Sequence, residues 1–353
     1  MQAVDLNERQ LALFQTFLCN TEEERQKLSN TIELWDSVPR YCVTRRQQNM
    51  MRDEGTGHLP IFTKKFYFKG ETFVAEIRPA LLNEEGPDGN AKSIAYYPSG
   101  REELVEDALR KIASRKANGF FQNTPEMASG VSFTLYELQC ELARLGHTLS
   151  HKEITQALNI MRFSNIDIYL ENGDKKARVS SSYIPVLMSV SKKQYDSDPD
   201  SKWVVHFHPF VTQGIMSVAY RQFNYELMMS LSTQLGRWLH KYLCIKFTGA
   251  GLAAPPFEIH YNTIKRDSGL LNAKQERNNY VSVSEALDEI KSNGVLSDWK
   301  KKEIIGPRGK YLDIIYYLTP TMAFIKEVKA ANKRNSDSKD VIHKATADKR
   351  LSK

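Results

Sequence analysis

Cysteine is scarce: four residues, Cys19, Cys42, Cys140 and Cys244, lie far apart in 353 with no CxxC pair. That spacing excludes a disulfide-framed secreted domain and fits reduced thiols in a cytosol. Long apolar runs are also missing, since none approaches the roughly 18 residues that span a bilayer. Met1 to Leu18 lacks the basic start and small-residue cleavage site of a secretory signal, so the expected setting is the cytoplasm, with no membrane partner. A nucleotide-binding lysine is absent as well. The glycines of Gly249-Ala250-Gly251 and of Gly306 to Lys310 lack Walker spacing, which excludes an ATP-driven motor and leaves no cofactor to expect. Acidic charge is outweighed: 49 Lys and Arg against 42 Asp and Glu give a net charge of +7. This balance favours a polyanionic partner without resembling a histone-like tail. At about 150 residues per domain, the length suggests two folded units plus extensions.

The stretch Thr134 to Val190 organises what is present. Leu135, Leu138, Leu142 and Leu145 recur at the spacing of a buried helix face, and Gly146 supplies a left-handed stop. Ser150 and Glu153 form a capping box, so a second helix starts there and runs to about Ser164, burying Ile154, Ala157, Leu158 and Met161. Its other face carries Lys152, Thr155, Gln156, Asn159 and Arg162, whose donors and acceptors match base edges. Ile166 to Leu170 and Arg178 to Val190 then read as strands around an Asn172-Gly173-Asp174 turn. Lys175, Lys176 and Arg178 sit where a wing would touch phosphate. Helix, helix and strand pair in this order make a winged helix-turn-helix.

The fold class expected is α+β: tandem winged-helix domains with an N-terminal extension and a short disordered C-terminal tail. Residues 1–97 form the extension. Within it Leu6 to Asn30 reads as helical, Val38 to His58 as a basic mobile arm, and Phe66 to Ile77 as a hairpin turning at Gly70-Glu71. Residues 98–248 form the first domain, opened by an amphipathic helix from Arg101 to Arg115. It includes an acidic link, Asp196 to Ser201, a strand from Trp203 to His208, and one long helix from Asn224 to about Phe247. Residues 249–334 repeat the grammar. A short helix near Thr263 to Ser268 is followed by one opening at Ser282 with Glu285 as its capping partner, then by strands flanking Gly306 to Lys310. Pro320 starts a last helix to about Asn332, and 335–353 reads as a basic flexible tail.

The second domain's helix exposes Asp288 and Glu289, which phosphate repels. Its DNA contacts are therefore expected from Arg266, Lys274, Arg277, Asn278, Asn279, Ser284, Arg308 and Lys310. Winged helices also serve as protein-protein modules, and the polar face of Lys152 to Arg162 reads equally well as a solvated surface. His206-Phe207-His208 has the spacing of a rolling-circle nickase's metal pair. Neither Tyr220 nor Tyr225 has a lysine at the third position after it, and no acidic third ligand is evident, so structural histidines are the preferred reading. Cys140, His147 and His151 supply only three candidate zinc ligands, one on a turn, and no metal is expected.

The sequence resembles the iteron-binding replication initiators (Rep proteins) of bacterial theta-replicating plasmids, particularly the RepA branch. The likeness is carried by Tyr96-Tyr97-Pro98-Ser99, Arg101 to Lys111, the Ser132 to Ser164 helix pair, Phe207 to Thr212, Tyr220-Arg221-Gln222 and Arg266 to Leu270. It spans about Leu59 to Leu318. The resemblance implies a homodimer in equilibrium with a monomer that binds double-stranded origin DNA bearing direct repeats. The second domain would grip each repeat and the first would dimerise and add contacts. It further implies opening of an adjacent AT-rich duplex, recruitment of host DnaA and DnaB, and no enzymatic step. A plasmid or phage transcriptional repressor with the same two modules, and a metal-dependent nickase, are the alternatives.

Overall fold

A computed structural model describes residues 6–85, 91–122, 127–172, 178–189, 201–249, 251, 255–307 and 311–351. Helices α1 (Leu6–Gln15) and α2 (Glu22–Lys27) precede strand β1 (Leu28–Ile32) and helix α3 (Arg45–Met51). Strands β2 (Phe62–Phe68), β3 (Glu71–Arg78), β4 (Ala80–Glu85) and β5 (Ala91–Tyr96) follow, then α4 (Gly100–Ala113). Next come β6 (Gly119–Gln122), β7 (Ala128–Phe133), α5 (Leu135–Arg144), α6 (His151–Phe163), β8 (Asn165–Leu170) and β9 (Arg178–Ser182). β10 (Val186–Met188), β11 (Trp203–His206) and α7 (Pro209–Met216) lead to β12 (Tyr220–Asn224), α8 (Tyr225–Ser230) and α9 (Gln234–Lys246). The last elements are β13 (Phe257–His260), α10 (Tyr261–Ser268), α11 (Glu276–Ser292), β14 (Leu296–Ile305), β15 (Tyr311–Pro320) and α12 (Met322–Leu351). The fold class is α+β. Two compact units emerge, Val38–Met216 and Met1–Ser37 with Ser217–Lys353, which do not follow the boundaries read from sequence. Residues 1–97 are shared between the units, and 217–248 belong with 249–334.

In the unit Val38–Met216, α4 is the central helix. A Ser99–Glu102 capping box starts it, and Val105, Ala108, Leu109 and Ile112 are buried to 0% exposure. Its charged side is buried too. Arg40 donates from Nη2 to Glu106 at 2.9 Å, Tyr41 donates its hydroxyl to the same oxygen at 2.5 Å, and Arg45 pairs with Glu102 at 3.0 Å. These partners correct the mobile-arm reading of Val38 to His58: the arm is folded because its arginines neutralise the acids of α4. Thr44 and Gln47 box the start of α3, and the buried Gln48 donates to the carbonyls of Val43 and Tyr97.

The hairpin β2–β3 turns through Lys69 (φ 48) and Gly70 (φ 93), one residue earlier than Gly70-Glu71. It joins the first winged helix directly: the antiparallel sheet runs β2–β3–β8–β9, so residues read as an extension complete it. A second sheet runs β10–β11–β7–β6. The strand read as Arg178 to Val190 is therefore two, β9 on β8 and β10 on β11, separated at Tyr183-Ile184-Pro185, where proline has no N–H to donate. Residues 196–200 of the acidic link lie outside the described residues. The helix pair α5–α6 is as read, with Gly146 at φ 85 and the Ser150–Glu153 box both present.

In the other unit, β1 pairs antiparallel with β12, and α12 packs on β12 and α1. Leu6 to Asn30 is thus α1, α2 and part of a strand rather than one helix. The tail reading fails because α12 continues to Leu351 with Arg334, Asn335 and Ser338 buried. Arg334 donates to Asn30 Oδ1 at 2.6 Å and to the Leu13 carbonyl at 2.8 Å, and Asn335 donates to the Val218 and Tyr220 carbonyls. The single long helix expected from Asn224 to Phe247 breaks into α8 and α9, capped by the side chains of Asn224 and Thr233. From α9 onward the order is helix, strand, helix, helix, strand, strand, with sheet order β13–β15–β14 and Gly269 (φ 66) closing α10. That is the second winged helix. Among the described residues, no helix is long and apolar enough to cross a membrane.

Each unit buries a neutral histidine. His240 on α9 is 0% exposed between Phe223 and Phe324, with no hydrogen-bond partner for either ring nitrogen among the described residues. Burial pushes its pKa down to about 3. His208, also pushed down to about 3 by burial, accepts from the Phe210 N–H at Nδ1. Both have depressed folded-state values, so the unfolded chain binds more protons below about pH 6.5. Stability is level above that pH and falls as pH drops from 6.5 toward 3, by up to about 1.4 kcal/mol per pH unit per histidine. Urea midpoints at pH 7, 5.5 and 4.5 should decline accordingly, and His240→Leu should flatten the decline of its own unit.

Candidate nucleic-acid interface

In the second winged helix, α11 rises from a firmly held base. The helix opens at Glu276, not at Ser282, because Glu276 is tied to α10. Its carboxylate accepts from Lys265 Nζ at 2.7 and 2.8 Å, from Asn279 Nδ2 at 3.1 Å and from the Tyr261 hydroxyl. Burial raises the Glu276 pKa, and these donors outweigh it to leave the group below the usual carboxylate range. Ser282, read as a cap, lies inside the helix and bonds back to the Asn278 carbonyl.

The acids that counted against this helix are engaged by the protein itself. Asp288 accepts from Trp299 Nε1 at 2.8 Å. Glu289 accepts from the backbone N–H groups and hydroxyls of Ser232 and Thr233, which breaks the α8–α9 run and caps α9. Burial raises Glu289 and those bonds overcome it, so its pKa lies below the usual value. Gly236 leaves room for this crossing: a Cβ there would stand 2.6 Å from Glu289 Oε2 and 2.7 Å from Thr233 Oγ1, so a larger residue would displace those side chains.

What remains open on α11 is one arc. At about 100° per residue, Arg277, Asn278, Val281, Glu285 and Asp288 fall within about 100° of one another, opposite the buried Val283, Ala286, Leu287 and Ile290, and the exposed Lys274 lies just before the helix. All five are exposed. None of the hydrogen bonds or ion pairs found among the described residues engages the side chains of Lys274 or Arg277. Of the other expected contacts, Asn278 is on this arc. Asn279 faces inward, buried, holding the Ala273 backbone, and Ser284 is half-buried with its hydroxyl on the Tyr280 carbonyl. Arg266 is exposed and forks onto its neighbour Asp267 at 2.7 and 2.9 Å.

No family profile matches the sequence, and no curated protein does. Solved structures do. One structure of domains 2 and 3 of RctB aligns at a TM-score of 0.47 with 9% identity, covering 77% of this chain and 95% of that one. Another of the same domains aligns at 0.43 with 9% identity, over 79% and 98%. The Pi initiator protein in complex with iteron DNA aligns at 0.43 with 11% identity, over 63% and 91%.

The first winged helix differs from the second at the helix before its strand pair, α6. Strand β4 packs on α6, and Gln156 Nε2 donates to Glu84 Oε1 at 2.5 Å. Lys152 is exposed, whereas Thr155, Gln156, Asn159 and Arg162 are half-buried. At the wing, Arg178 pairs with Glu76 at 3.4 Å and lies over the Tyr169 ring. Lys175, Lys176, Arg308 and Lys310 lie outside the described residues. His206 is buried and its pKa is lowered by burial, and among the described residues no group of three or more His, Cys, Asp or Glu could hold a metal.

The exposed lysines of β14 escaped sequence reasoning. Lys300 and Lys302 share one face of this edge strand by its period of two, while Lys301 pairs with Glu303 at 3.0 Å on the other. The Trp299-Lys300-Lys301-Lys302 run just after α11 was the available signal. If both reach phosphate, replacing them with alanine should reduce the slope of log affinity against log salt by about 1.8, equally for cognate and random duplex. An unchanged slope would remove them from the interface.

Proposed function

We propose that this protein is a plasmid replication initiator that works by binding, not catalysis. It binds direct repeats (iterons) at the plasmid origin, promotes opening of the adjacent AT-rich duplex and recruits host DnaA and DnaB, as a monomer in equilibrium with a homodimer. The observation that carries the reading is α11: a helix fixed at its start by Glu276 and at its flank by Glu289, with an open arc of side chains suited to base edges. Lys300 and Lys302 on the following strand supply charge for phosphate. The sequence resemblance to iteron-binding initiators is what points from DNA binding to an origin. Neither nucleotide nor metal is needed, because counterion release and DNA deformation supply the work of opening.

DNase I footprinting with the full chain, on the DNA flanking its own gene, tests the reading. Protected windows recurring once per direct repeat are expected. One isolated protected operator would favour the repressor, and no protection anywhere would overturn DNA recognition by this chain.

A further inference from the structure

Val281 stands in the middle of the open arc of α11. It is 47% exposed, with Arg277 and Asn278 one turn before it and Glu285 one turn after. A β-branched side chain in an exposed helix interior gains little from the core and lowers helix propensity relative to alanine. Its neighbours define the company it keeps. Arg277 offers paired donors suited to guanine, Asn278 a donor and acceptor suited to adenine, and Glu285 an acceptor suited to cytosine N4. None of those three polar side chains reads the thymine C5-methyl group, which is read by apolar contact. From Arg277 to Glu285 the helix rises about 12 Å, the length of three to four base steps, which places Val281 over the middle of the sequence being read.

We infer that Val281 is a specificity-determining residue that reads a thymine methyl group in the major groove. This rests on the reading of α11 as the base-reading helix. A contact to one methyl group makes the helix prefer thymine over cytosine or uracil at one position, independently of the hydrogen bonds made on either side.

The test uses the full chain and DNA alone. Selection from a random-sequence duplex library gives the cognate sequence, and each thymine in it is then replaced singly by deoxyuridine, which deletes the methyl and keeps the hydrogen-bonding edge. At one thymine, the wild type should bind the uracil duplex about three- to fivefold more weakly, the scale of one buried methyl. Val281→Ala should bind the thymine duplex weaker by a similar factor and show no further loss with uracil there. Because the side chain is exposed and alanine favours helix, the variant's urea midpoint should equal or slightly exceed that of the wild type. A uracil penalty that persists undiminished in Val281→Ala, or the absence of any uracil penalty, overturns the inference while leaving DNA recognition intact. Failure of the library to yield any enriched sequence overturns the recognition reading itself, and the inference with it.

Discussion

Arg277→Ala and Asn278→Ala should each weaken binding to the cognate duplex by about 1–3 kcal/mol, roughly 5- to 150-fold, while Asn278→Ala leaves binding to random duplex nearly unchanged. Both side chains are exposed on the first turn of α11. Truncation removes base contacts without disturbing the core, whereas the neighbouring Asn279 is buried and its loss would disturb the turn itself. Arg277 also carries charge, so its removal should slightly flatten the salt dependence. Competition binding against cognate and random duplexes measures both terms. Gln156→Ala on α6 provides the contrast: its amide already bonds Glu84, and a smaller effect is expected. Equal losses on cognate and random DNA for Asn278→Ala would mean that α11 positions the protein without reading sequence.

Glu106→Ala should destabilise the unit Val38–Met216 by about 3–5 kcal/mol, because it leaves the Arg40 guanidinium buried without its carboxylate. Arg40, Tyr41 and Glu106 are 4%, 5% and 6% exposed. Burial and the neighbouring Glu106 together push the Tyr41 phenol well above its ordinary pKa, so it remains a donor at any working pH. A paired replacement, Arg40→Met with Glu106→Leu, removes both charges and should recover much of the loss. Urea denaturation followed by near-ultraviolet circular dichroism reads both variants. Equal destabilisation by the single and the paired replacements would show that packing, not the unpaired charge, dominates.

Local signals in the sequence translated faithfully into structure where the partners were close along the chain. The Ser150–Glu153 box, the stop at Gly146, and the β2–β3 hairpin apart from its one-residue shift at the turn all depend on residues within a few positions. The misreadings share the opposite property. Ser282 and Glu285 have capping-box spacing, but Glu276 is held by Lys265 and Tyr261 from another helix, so α11 begins two turns earlier. Between Asn224 and Phe247 the continuous apolar stripe hides the break at the Thr233 cap, because the carboxylate that supports it, Glu289, lies 56 residues from Thr233. The basic segment around Arg40 looked solvated until α4 supplied its acids, and the charged run after Asn332 looked disordered although Arg334 and Asn335 bond to carbonyls far back in the sequence. The open arc of α11 was half legible: Arg277 and Asn278 stood out by chemistry, whereas Val281 gains meaning only from its place among them.

Permanganate footprinting of a supercoiled plasmid carrying the DNA beside this gene tests the initiator reading most directly, with purified protein and no metal or nucleotide added. Reactive thymines should appear in an AT-rich block next to the protected direct repeats, and should disappear with Arg277→Ala. Occupied repeats with no reactive thymines, even after purified DnaA is added, would contradict origin opening and leave a repressor.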